Sequence, residues 1–81
     1  MNQIEKFLTK LNSRDFGIAQ VLLSNIENSS FANIHIKKLV GYRDLYRARQ
    51  GRIRAIFRML PGGKTKTLSL DFKNDNTYKN L

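Results

Sequence analysis

Between Tyr42 and Met59 the chain reads YRDLYRARQGRIRAIFRM, with arginine and apolar residues alternating on both sides of Gln50-Gly51. Strand side chains point to opposite faces with a period of two, so this pattern predicts a β-hairpin with one basic and one apolar face. Arg47 and Arg49 share a face, as do Arg52, Arg54 and Arg58, whereas Tyr46, Ala48, Ile53, Ala55, Phe57 and Met59 take the other. A two-residue loop at Gln50 and Gly51 would set Arg49 opposite Arg52, Arg47 opposite Arg54, and Tyr46 opposite Ala55. Like charges facing each other across a sheet destabilise it by roughly 0.2–1 kcal/mol per pair, so stability alone does not select this arrangement. Five arginines on one face of the hairpin with no carboxylate among them suit an anion, because each guanidinium offers a planar fork to a phosphate. The alternative is a solvated basic face that discourages edge pairing.

The charge balance points the same way. A net charge of +9 over 81 residues favours a polyanionic partner, since dense lysine and arginine attract phosphate backbones and release their counterions. An acidic protein would satisfy the same electrostatics. A membrane surface fits less well, because the cations gather on a strand pair and not on one face of an amphipathic helix. With 41% hydrophobic residues and no cysteine, residues 1–81 read as a single domain that stands on a compact core and not on disulfides. No stretch approaches the roughly 18–20 apolar residues of a membrane span, and the N-terminus lacks a basic-then-apolar signal pattern, so the expected location is the cytoplasm, with no membrane contact.

Ile4, Phe7, Leu8 and Leu11 recur at helical spacing and predict a first amphipathic helix over 2–11. Asn12 or Ser13 can cap a second, with Asp15 in its first turn, a stripe of Phe16, Ala19, Leu22, Leu23 and Ile26, and an end at Asn28-Ser29-Ser30. Residues 34–39 predict a first strand or an extended lead-in. After the hairpin, Pro61-Gly62-Gly63 makes a turn, and Thr65 to Phe72 alternate again, with Leu68, Leu70 and Phe72 toward the helices and Thr67, Ser69 and Asp71 on the arginine face. The pattern predicts an α+β fold: a two-helix hairpin packed on one face of a small, mainly antiparallel sheet whose other face is open and basic.

With one histidine and no cysteine, no His/Cys metal set can be assembled, and neither a metal nor a cofactor is expected. The acids show no paired spacing for a magnesium site or an acid/base couple, and Gly62-Gly63 lacks the context of a phosphate-cradling loop. His35 reads more readily as a strand or surface residue than as a catalyst. Cleavage of RNA needs no metal, because the substrate carries its own nucleophile in the 2′-hydroxyl, and arginines can hold the phosphate and neutralise charge in the transition state. Arginine keeps its proton at physiological pH, so Lys73, Tyr78, His35 or water would handle protons. Tyr78 reads equally as a packing anchor for the tail.

The run LVGYRDLYRARQGRIRAIFRM from Leu39 to Met59, followed by a strand and the ending KNDNTYKNL, resembles the signature of RelE-type toxins in the RelE/ParE superfamily. There a leucine-glycine segment leads into a basic strand of the form LYRxRxG, then GxxRxIF, and the chain closes on a basic residue and an Asp-x-x-Tyr-like ending. The resemblance implies a RelE-like fold and a toxin of a type II toxin–antitoxin system: a metal-independent, ribosome-dependent endoribonuclease that cleaves messenger RNA by 2′-hydroxyl attack and is neutralised by a cognate antitoxin. By the same resemblance Arg47, Arg49, Arg54, Lys73 and Tyr78 are the catalytic candidates. Arg43, Arg52, Arg58 and Lys66 complete the expected RNA-binding surface.

Two departures stand out. Members of the family often carry lysine where this chain has Arg47 and Arg49, and the family usually opens with a β-strand before the first helix, which this sequence lacks. A partner segment, from an antitoxin or a second copy, is expected to cover the resulting sheet edge by strand addition. The same signature fits two other functions: a ParE-like gyrase inhibitor with no catalytic residues, and a degenerate module that only binds.

Overall fold

A computed structural model describes residues 2–72. Lys73 and Tyr78, two of the expected site residues, lie outside the described residues. Helix α1 (Gln3–Thr9) starts at Asn2, whose side chain accepts the Glu5 N–H at 2.8 Å, and α2 (Ser13–Glu27) starts at Asn12, which accepts the Asp15 N–H at 2.8 Å. Both asparagines satisfy an N–H that has no partner within its helix. Ala19, Leu22 and Ile26, spaced by three and four, form the buried face of α2. Neither helix is long and apolar enough to cross a membrane.

Four strands follow: β1 (His35–Lys38), β2 (Leu45–Gln50), β3 (Ile53–Met59) and β4 (Thr65–Phe72). They form one sheet in the order β1-β2-β3-β4, antiparallel throughout. The core lies between α2 and the sheet, where Ala19, Leu22 and Ile26 meet Ile34, Ala48, Ile53, Ala55, Phe57 and Leu70. Tyr46 and Phe31 each stack on Phe57 with ring centroids 5.6 Å apart. This is the α+β layout that the alternation predicts, with two helices on one face of an antiparallel sheet.

Three details differ from the pattern. The hairpin loop is Gly51-Arg52 and not Gln50-Gly51, because Gln50 already pairs with Ile53. Gly51 has φ 59°, while Ser29 is the one described non-glycine residue with positive φ; a glycine in the first loop position followed by an ordinary residue suits a type II′ hairpin turn. The register therefore moves by two: Arg49 faces Arg54, Arg47 faces Ile56, and Leu45 faces Arg58. An even shift leaves every strand residue on its expected face, but it removes one of the two costly Arg–Arg pairs and puts Arg52 in the loop.

The second difference is a bulge in β4. Ile56 pairs with Ser69 and Phe57 with Thr67, so Leu68 is an extra residue and is 38% exposed. Beyond it the alternation inverts, and Thr67, expected on the arginine face, shares the helix face with Phe57. Thr65 lies on the same side, and its hydroxyl donates to the Ile26 carbonyl at 2.8 Å.

The third concerns the sheet edge. Among the described residues no strand precedes α1, yet the outer edge of β4 is closed at one position from within. The Gln3 amide donates to the Leu70 carbonyl at 2.6 Å and accepts the Leu70 N–H at 3.1 Å. One side-chain amide thus reproduces the pair of bonds that a neighbouring strand would make.

Candidate nucleic-acid interface

Residues that face one another across strands share a side of the sheet, so the register lays out the basic face in rows. The first row crosses all four strands: His35, Arg49, Arg54 and Asp71. The second is Lys37, Arg47, Ile56 and Ser69. Leu45, Arg58 and Lys66 make a third, shorter row on β2 to β4. Arg47, Arg49, Arg54, Arg58 and Lys66 are thereby brought together as the sequence suggests. Pairing of β1 with β2 adds His35 and Lys37 to that face. The strict alternation of Ile34, His35, Ile36 and Lys37 was the signal available for them.

The arginines differ in their surroundings. Arg54 is 6% exposed, and its guanidinium donates from Nε and Nη2 to the two carboxylate oxygens of Asp71, at 2.9 and 3.0 Å. This forked geometry has the strength and direction of a charge-assisted pair. Arg58 is half-exposed and lies 3.3 Å from Asp44. Arg47 and Arg49 are half-buried, and with His35, Ile36 and Lys37 they line a shallow groove of about 230 Å³ at the β1–β2 side of the face. Among the described residues no carboxylate lies within ion-pair distance of Arg49. The face therefore carries two carboxylates among the described residues: Asp71, which the alternation of the last strand places there, and Asp44, which reaches Arg58 from just before β2.

Arg52 and Arg43 sit elsewhere. From its loop position Arg52 reaches toward the helices and donates from Nη2 and Nε to one oxygen of Asp15, at 2.7 and 3.1 Å, with its guanidinium 5.0 Å from the centre of the Phe72 ring. The hydrogen bond to Asp15, and then that carboxylate's charge, raise the already high pKa of Arg52. The Asp15 side chain is only 5% exposed, and a buried carboxylate needs such a partner. Arg43 is exposed in the loop between β1 and β2, off the strands. Among the described residues no group of three or more His, Cys, Asp or Glu could hold a metal ion.

The arrangement can hold a chain of phosphates: rows of cations on neighbouring strands of the sheet, with a groove at the β1–β2 side lined by half-buried Arg47 and Arg49. No family model matches the sequence, and no curated protein matches it significantly. The three-dimensional structure is similar to a chain of the RelB–RelE antitoxin–toxin complex from Methanococcus jannaschii, with a TM-score of 0.73 and 18% sequence identity over 100% of this chain and 95% of that one. At that identity the likeness concerns the fold: this chain has a RelE-like α+β fold, with its basic rows on the sheet face opposite the helices.

Proposed function

We propose that this protein is a RelE-like toxin of a type II toxin–antitoxin system, which cleaves messenger RNA on the ribosome without a metal and is held inactive by an antitoxin. The observation that carries this reading is the joint presence of a RelE-like fold and a sheet face, opposite the helices, bearing Lys37, Arg47, Arg49, Arg54, Arg58 and Lys66 in register. Such a face binds a sugar–phosphate backbone and supplies fixed positive charge where a phosphorane builds negative charge. RNA provides the nucleophile, so the protein's tasks are to align the 2′-oxygen with the phosphorus and the departing 5′-oxygen and to manage protons. Arg47 and Arg49 are suited to hold the phosphate. Arg54, next to Arg49 in its row, fixes the field from a buried position, and Lys73 and Tyr78 are proposed to complete the site. The antitoxin is expected to present acidic residues to this surface.

Induction of the gene in a host cell tests the reading. Growth arrest accompanied by immediate loss of protein synthesis, and relieved by co-expression of the antitoxin, is the expected result. Arrest with DNA-damage signalling and continuing translation would instead indicate gyrase inhibition, and no effect on growth would indicate a module that only binds.

A further inference from the structure

The row His35–Arg49–Arg54–Asp71 carries an imidazole at one end, a carboxylate at the other and two guanidinium groups between them. Directly opposed residues of antiparallel strands stand about 4.5–5.5 Å apart at Cβ, so each member lies beside the next. The carboxylate end is occupied, since both Asp71 oxygens accept from Arg54. The imidazole end is open: His35 is exposed and lines the groove with Lys37, Arg47 and Arg49. Guanidinium and ammonium groups hold their protons at physiological pH, whereas an imidazole exchanges its own near neutrality. Among the described residues of this face, His35 is the group with the chemistry of a proton acceptor and a position beside the phosphate-holding arginines.

We propose that His35 is the general base for RNA cleavage in the β1–β2 groove, an inference that rests on the function proposed above. The phosphate is held by Arg47 and Arg49. The neutral imidazole accepts the proton of the 2′-hydroxyl as the 2′-oxygen bonds to the adjacent phosphorus, and the bond from phosphorus to the 5′-oxygen breaks. The departing 5′-oxygen takes a proton from water, and the imidazolium returns its proton to the hydroxide so formed. The products are a 2′,3′-cyclic phosphate and a 5′-hydroxyl end. Among the described residues, the charged groups that face His35 are Lys37 on its own strand and Arg47 and Arg49 from β2. This role accounts for a site in which the hairpin itself offers arginine where a base is needed.

The test compares the purified chain with His35→Gln on ribosomes programmed with a short messenger RNA, under single-turnover conditions and across the pH range in which imidazoles titrate. Binding of a short RNA oligonucleotide and thermal unfolding are measured alongside. The expected result is a wild-type rate that rises with pH and levels off. For His35→Gln it is a rate lower by roughly 10²–10⁴-fold that no longer follows that profile, with RNA binding and stability unchanged. A His35→Gln protein that cleaves like the wild type, or that loses rate only in step with RNA binding, overturns the inference and leaves the proposed function standing. A wild-type protein that cleaves no RNA overturns both.

Discussion

The Arg54 side chain is 7% exposed while its partner Asp71 is 49% exposed, so the pair has a buried cation and an anion at the surface. Such a pair serves folding first, because a buried guanidinium without a counter-charge is costly. It also sets a half-exposed carboxylate at the end of a row of cations. Asp71→Asn is therefore expected to act in two directions. Stability in urea falls by about 1–3 kcal/mol, the cost of a lost charged hydrogen-bond pair, while affinity for an RNA oligonucleotide rises because a carboxylate charge leaves the basic face. Unchanged RNA affinity would mean that RNA does not pass near Asp71. At Arg52 the expectation is the reverse. Its bonds to the buried Asp15 make it a support for the start of α2, so Arg52→Ala should lower the melting temperature and leave the salt slope of RNA binding as it was.

At the scale of elements, alternation in the sequence was enough to pair β2 with β3 and to assign their two faces, because a period of two survives any even change of register. The register itself was hidden. Both Gln50-Gly51 and Gly51-Arg52 offer a glycine to a two-residue loop, and the choice depends on which position takes positive φ. Gly51→Ala tests the positive φ at that position: with φ 59° and a new Cβ only 3.3 Å from Ile18 Cδ1, it should destabilise the protein by about 1–2 kcal/mol, read as a shift in urea midpoint at constant slope. The β4 bulge was also illegible, since TKTLSLDF alternates without a break and nothing in it marks Leu68 as the residue to be skipped. Nor does a hydrophobic pattern disclose a side chain acting as backbone. Gln3→Ala removes both bonds to Leu70 and should cost about 1 kcal/mol, and it should raise the tendency of β4 edges to associate, seen as concentration-dependent sedimentation.

The whole molecule is divided by its sheet: the helices and core occupy one side, and the other is a field of cations. Fold class and the sign of that field were both readable from the arginine alternation and the charge of +9. Asp71 was legible on the arginine face from the alternation of the last strand, as its pairing with Arg54 bears out, whereas His35 reaches the site only through the pairing of β1 with β2, and Asp44 from a segment just before β2. What the face engages is the central claim, and mapping of RNA 5′ ends across the transcriptome after brief induction tests it most directly. The expected result is a set of new 5′-hydroxyl ends inside translated coding sequences, at ribosome-occupied codons, absent when translation is blocked and strongly reduced for Arg49→Ala. Growth arrest with no new RNA ends, or new ends that form equally in untranslated RNA, would contradict it.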